Sequence, residues 1–416
     1  MNILIKAATI LDPTSPFHKK QLDIYIQQGV IKEIGKNLSY PKAKQLAVKN
    51  LHISQGWFDS SVSFGEPGYE ERETIDNGLQ VAALSGFTHI AYNTNTTPKP
   101  DSRADISFLL ELANGHVTQL HPKACITTTT DKLAPLRELH AAGAVSFSNH
   151  KQSISNANAL KLALQYSNDF EGLVESFAFD KDLANEGIMH EGAVSTALGL
   201  NGIPAVVEEV QLKRDLGILE YALGKLHTPT LSSSASVKLI KEAKKLGLDV
   251  SCSVSIFNLF FTDEALQGFN PNAKLLPPLR RIDDQKSLKK ALADGTIDMV
   301  TSDHQPLNSE LKDMELDRAQ FGSIGLEHSF GSLLRHFSIE EAAEILTRGK
   351  ARFGIEEHPI DVGAVADLSL FTDEGTTEVS KSSIRTSSKN SLFIGETLSG
   401  KVLGVIRGDK YFLQEN

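Results

Sequence analysis

Apolar and polar positions keep one rhythm at the two ends of the chain and another between them. Ile3-Leu4-Ile5 runs apolar, and Leu22-Asp23-Ile24-Tyr25-Ile26 has the two-residue period of a half-buried strand. Gln28-Gly29 just before Val30-Ile31 predicts a tight hairpin. The tail follows the same pattern, since Ala366-Asp367-Leu368-Ser369-Leu370-Phe371 and the run from Val402 to Lys410 read as strands closed by glycine-containing turns. Two strand-rich ends predict one small β-sandwich domain assembled from residues 1–52 and 362–416.

The middle, residues 53–361, alternates strand-like and helix-like stretches. Gly86 to Tyr92 reads as a buried strand after a helical pattern from Asn77 to Ser85. Val237 to Leu246 has helical spacing, Gly247 stops it, and Leu248 to Val254 reads as the next strand. A helix from Asp284 to Leu292 leads through Asp294-Gly295 into Ile297 to Asp303. This α/β rhythm predicts a (β/α)8 TIM-type barrel. Lys238, Lys241, Lys244 and Lys245 predict a solvated helix face, and the Ser/Lys-rich run from Lys381 to Asn390 predicts an exposed loop.

A length of 416 residues suits a barrel of that size plus an accessory domain. The formal net charge of -10 argues against general nucleic-acid or anionic-membrane binding, which need a basic surface. No apolar run approaches the ~18 residues of a membrane span, and the start carries no secretory pattern. Cys125 and Cys252 are the only cysteines, too few for a disulfide scaffold or a cysteine-built metal site. A reduced, cytoplasmic location is the expectation.

Barrel chemistry sits at the C-terminal ends of strands, which here means Asp59 to Gly65, Asn93 to Thr97 and Thr301 to Pro306. These stretches, with Glu66-Pro67-Gly68, Pro277-Pro278-Leu279-Arg280, Asp303-His304-Gln305-Pro306 and Gly325-Leu326-Glu327, resemble the dihydroorotase family. The likeness is to its type I branch within the amidohydrolase superfamily. Met189-His190-Glu191-Gly192, Gly202-Ile203-Pro204, Arg214-Asp215 and Ser388-Lys389-Asn390 to Gly395 fall where that family has similar words, so the resemblance runs in order along nearly the whole chain.

The resemblance implies one or two zinc ions and the opening or closing of the dihydroorotate ring. It also implies where the zinc ligands would stand. The paired histidines of the first barrel strand fall on Ser61 and Ser63, whose side chains share a strand face. The aspartate of the third barrel position falls on His150, the next histidine on Phe177 (or Ser176, one residue earlier) and the following one on Thr230. The last aspartate is kept as Asp303. Hydroxyls are poor zinc ligands beside imidazole, carboxylate or thiolate, and zinc wants three or four protein ligands. No metal cofactor is therefore expected.

Substrate positions carried over by the same likeness follow suit. Gly65 stands where an arginine would clamp a carboxylate. Leu276 and Leu307 stand where the family has an asparagine and a histidine, while Asn95, Phe321 and Gly322 match its substrate contacts. A site holding Leu276, Leu307 and Phe177 is expected to be more apolar than an active member's. Asp303 is the one candidate general base, and Asp303-His304 also fits a capped strand end. His150 equally fits a satisfied polar histidine, and Asn95 a rim hydrogen bond.

The expectation is a dihydroorotase-like protein of pyrimidine synthesis without dihydroorotase turnover. Some family members lacking the metal ligands associate with aspartate transcarbamoylase, so that enzyme, or an active dihydroorotase paralogue, is the expected partner, and homo-oligomers are common in the family. The alternatives are an active cyclic-amide hydrolase with an altered metal site, motivated by Asp303, His304 and His150, or a sensor of pyrimidine intermediates that uses Asn95 and Phe321-Gly322.

Overall fold

The computed structural model describes residues 1–128 and 132–414. Both termini feed one eight-stranded sheet, in the order Lys410–Leu413, Thr397–Arg407, Asp367–Glu378, His52–Gln55, Asn2–Ile10, Gln21–Gln27 and Val30–Gly35, with Lys44–Leu46 added beside Asn2–Ile10. The expected hairpin is present: Gln27 pairs with Val30, and Gln28 and Gly29 both have positive φ, +49° and +75°, as a two-residue turn matching strand twist requires. The sheet folds over so that Val30 bridges Val365. Ile3, Ile5, Ile24, Ile26, Ile53, Leu368, Leu370 and Ile406 fill its core.

The second sheet is the expected barrel. Its eight parallel strands follow chain order: Trp57–Val62, Phe87–Tyr92, Gln119–Ala124, Ser146–Phe147, Leu173–Glu175, Lys225–Thr228, Val250–Ser255 and Met299–Thr301. Val62 meets His304 in a parallel bridge, and Ser63 N donates to His304 O at 2.9 Å, which closes the ring. Gln119–Ala124 carries a proline and two ionisable residues, so it does not read as a strand in the sequence. His150 consequently follows the fourth strand and not the third.

Local chemistry sets the elements around the mouth. Thr74 caps the helix Ile75–Leu84 by accepting from Asn77 N. Gly78 inside that helix lets Phe64 pack against its backbone, since a Cβ there would lie 2.4 Å from the ring. The helix Ser234–Lys245 exposes Lys238, Lys241 and Lys245 as expected. Lys244 differs: it is half-buried and reaches Asp298 at 2.7 Å. Lys381 to Asn390 is a loop, yet not a free one. Ile384, Thr386, Ser388 and Asn390 are buried. Glu73 and Glu327 accept from the backbone of Ser387, and of Arg385 and Thr386. Asn390 ties the loop to the barrel rim through Leu307 N and Gln305 O, each at 3.0 Å. Polar composition suggested solvent, whereas these side chains satisfy carboxylates and backbone under the loop. No helix among the described residues is long and apolar enough to cross a membrane.

A single residue carries the chain from the terminal sheet into the first barrel strand. Gly56 separates His52–Gln55 of the terminal sheet from Trp57–Val62 of the barrel, and its N–H donates to Asp367 O at 2.9 Å. A Cβ on Gly56 would stand 1.9 Å from Thr88 Oγ1 and 2.1 Å from Asp367 Oδ1. Next to it, buried Trp57 packs on Phe330 and Phe371, with its indole N–H donating to Ser54 Oγ at 2.9 Å. Gly56→Ala is expected to cost about 1–3 kcal/mol through overpacking. Gly217→Ala, in the helix Val206–Ala222 with nothing near its would-be Cβ, is expected to gain up to ~1 kcal/mol. Urea unfolding of the two variants checks the opposite signs.

Candidate functional site at the barrel mouth

Ser61 and Ser63 are buried at the end of the first strand, on the face the strand period assigns them. Asn93 Nδ2 donates to both hydroxyls, at 3.2 and 3.0 Å, and Ser63 Oγ donates to Asn95 Oδ1 at 2.9 Å. The ends of the first two strands are thus joined by a hydroxyl–amide ladder, in which Asn95 is a member and Asn93 a member the sequence did not suggest. Asp59, beneath them, accepts from Ser61 N at 3.0 Å and Ser302 N at 2.9 Å, pinning the first strand to the eighth.

Asp303 is buried, and its Oδ2 lies 2.8 Å from Lys151 Nζ. Burial pushes its carboxyl above the usual range, and the Lys151 ammonium pulls it back. His304 is buried against the backbone of the rim. Its Nδ1 accepts from Gly325 N and Leu326 N at 3.2 and 3.3 Å, and burial lowers its pKa to about 3. The hydrogen bonds assign the proton of the neutral ring to Nε2. This is the capped strand end.

Across the lumen, Lys123 of the third strand meets Glu175 of the fifth at 2.8 Å, both fully buried, and Ser146 Oγ donates to the same carboxylate at 2.5 Å. His150 Nε2 has no partner, and burial with Lys151 and Lys123 nearby holds the ring well below the ordinary histidine value. Thr230 donates its N–H to Ser253 Oγ at 3.1 Å, and its own hydroxyl is unpartnered. Phe177 stacks on Phe179 with ring centres 5.7 Å apart. Ser176 points outward to Asp215 at 2.6 Å, so Phe177 is the residue facing the lumen.

Ser61, His150, Phe177 and Thr230 border one void of about 10 Å³ together with Lys123 and Glu175, room for about one water. Among the described residues, no three His, Cys, Asp or Glu side chains are grouped so that they could hold a metal ion. Hydroxyls, a phenyl ring, one imidazole and an ammonium-bound carboxylate do not fit the donor set of a zinc centre.

Above the void lies a mouth cavity of about 770 Å³. Asn95, Leu276 and Phe321 line it. Gly322 does not: its N–H donates to Lys274 O at 3.1 Å. Leu307 is buried behind the rim, with its N–H on Asn390. Of the three apolar residues expected at the site, Leu276 lines the cavity and Phe177 the void beneath it. Leu307 turns into packing, and much of the wall comes from polar loops after the first four strands, with Arg72, Lys99 and Lys151 among them. Sequence reasoning missed Lys123, Glu175, Lys151, Arg72 and Lys99. No local pattern marked them, since Leu120-His121-Pro122-Lys123-Ala124 does not read as a strand.

The dihydro-orotase-like family model matches residues 52–236. A dihydroorotase of Pelotomaculum thermopropionicum is 35% identical over 100% of this chain and 99% of its own length. A dihydroorotase of Citrifermentans bemidjiense is 33% identical over 98% of this chain and 99% of its own. Among solved structures, the L-hydantoinase (dihydropyrimidinase) of Arthrobacter aurescens superposes with a TM-score of 0.87 at 21% identity, over 100% of this chain and 96% of that one. At that identity the likeness supports the fold alone.

The Lys123–Glu175 pair generates a stability prediction. Lys123→Met strands a buried carboxylate and is expected to cost about 3–5 kcal/mol, while Lys123→Met with Glu175→Met restores most of it. Urea unfolding of the three variants measures the coupling. Single losses that simply add in the double variant would show that the two groups do not act as a pair.

Proposed function

The chain belongs to the dihydroorotase family, and from that premise we propose that it is a non-catalytic member serving pyrimidine synthesis through its surface, with aspartate transcarbamoylase or an active dihydroorotase paralogue as partner. One observation carries the reading: Asp303, the kept carboxylate, is committed to Lys151 at 2.8 Å, while the hydroxyls at 61 and 63 are committed to Asn93 and Asn95.

Ring hydrolysis of a cyclic amide needs an activated water and a polarised carbonyl. A zinc ion supplies both, bringing the pKa of water from about 15.7 to about 7. General-base help alone contributes about 10²–10⁴-fold, and the Asp303 carboxylate is already paired with Lys151. The rest of the chain is intact around this mouth: the barrel closes and the Glu66-Pro67-Gly68 loop is built. A scaffold kept with its reaction centre rebuilt is what a protein acting through its surface would look like.

A second reading has its own support. The curated relatives that match nearly end to end carry the name dihydroorotase, which favours an active cyclic-amide hydrolase with an altered metal site. Zinc content and dihydroorotate turnover of the purified chain separate the two. Under about 0.1 zinc per chain, against the tight binding of folded sites, with no turnover, is the expected result; stoichiometric zinc with turnover would establish the hydrolase. Ser61→His with Ser63→His is expected to stay inactive, because Gly65, Phe177, Thr230, Leu276 and Leu307 are unchanged. Affinity purification from the native cell tests the partner, and recovery of neither aspartate transcarbamoylase nor a dihydroorotase paralogue counts against it.

A further inference from the structure

We propose that the mouth cavity is a binding site for a small molecule bearing two or more anionic groups, phosphate or carboxylate, with Arg72 and Lys99 as its charged contacts. Among the described residues that line the cavity there are three cations, Arg72, Lys99 and Lys151, and no carboxylate. This occurs in a protein whose net charge is -10. A concave, single-sign lining of this kind focuses potential and concentrates the opposite charge.

The neighbouring geometry shows how the cations come to be there. A Cβ on Gly65 would lie 2.2 Å from Tyr69 O and 3.2 Å from Arg72 Cβ. Position 65 is thus closed to any side chain by the turn from Tyr69 to Arg72. That same turn delivers a guanidinium to the mouth from residue 72. Arg72 is centred 3.9 Å above the Tyr69 ring, a contact that holds the planar group in one orientation. Its Nε is buried without a hydrogen-bond partner, and among the described residues the carboxylate within ion-pair reach is that of exposed Glu71, at 3.7 Å. His150 Nε2, also on the cavity lining, is unpartnered as well.

Lys151 is neutralised by Asp303 at 2.8 Å, so it lends polarity more than net charge. Lys99 is exposed, and its ammonium donates to the neutral Gln152 Oε1 at 3.2 Å. Thr94, Thr96, Asn149 and Gln152 also line the cavity, and the Thr94 and Thr96 hydroxyls donate to Ser148 O and Pro98 O at 2.9 and 2.8 Å. At about 770 Å³ the cavity is within the range of metabolite-sized sites. The inference stands apart from the partner reading and needs no turnover.

Thermal denaturation of the purified full chain tests it, with inorganic pyrophosphate and citrate as probes and sucrose as the neutral control. A saturable rise in Tm of at least about 2 °C with one of the two anions and none with sucrose is expected. Pyrophosphate alone would assign phosphate chemistry and citrate alone carboxylate chemistry. Lys99→Gln, a change at an exposed side chain, is expected to weaken the apparent affinity at least tenfold, and Arg72→Gln likewise. Lys238→Gln with Lys241→Gln, on the solvated helix face, is expected to leave it unchanged. No saturable shift with either anion at about 10 mM, a concentration well above the Kd of a real site, would overturn the proposal. So would equal affinity of Lys99→Gln and the unmodified chain.

Discussion

Lys123 and Glu175 meet at 2.8 Å inside the lumen, where a charge without its opposite would cost several kcal/mol. Their pairing fixes the third and fifth strands in register across the barrel, and Ser146 of the fourth strand supplies one more hydrogen bond to the same carboxylate. Lys151 and Asp303 repeat the arrangement one layer nearer the rim. Lys123 and Lys151 both border the small void, and Lys151 also reaches the cavity above it.

The backbone at the rim tells of a geometry that its side chains do not require. His150, Thr230 and Asp303 follow the fourth, sixth and eighth strands, and all three have left-handed φ, at +54°, +51° and +47°. For a β-branched threonine this is a costly conformation. Strain of this kind persists only where surrounding structure over-determines it, and it clusters at functional sites. All three positions are ones the family likeness assigns to zinc ligands. A hydroxyl, an imidazole and an ammonium-bound carboxylate stand at these three strand ends.

The terminal domain contributes to the mouth at a distance. The segment before the strand Thr397–Arg407 runs across the rim, and Asn390 bonds both Leu307 N and Gln305 O. Ser388 Oγ donates to Arg72 O at 2.8 Å, so the same strap steadies the turn that presents the guanidinium. Gly56 joins the two sheets without slack at the other end of the first strand. The mouth is bounded by a domain whose strands come from both ends of the chain.

Much of the architecture was legible in the sequence, because hydrophobic period and turn chemistry act over a few neighbouring residues. The alternating runs at both ends, the β-α rhythm between them and the hairpin at Gln28-Gly29 all appear as expected. The third barrel strand was hidden, since His121, Pro122 and Lys123 break the apolar pattern that marks strands, and the Lys381 to Asn390 loop looked solvated because its hydroxyls have partners far away in the chain. The charge arrangement of the mouth was not legible at all. Lys151 and Asp303 stand 152 positions apart, and whether a lysine turns to solvent or into a lumen depends on which strands the closed barrel makes its neighbours. Residue type was set by the sequence alone; partnership between charges was decided only when the ring closed.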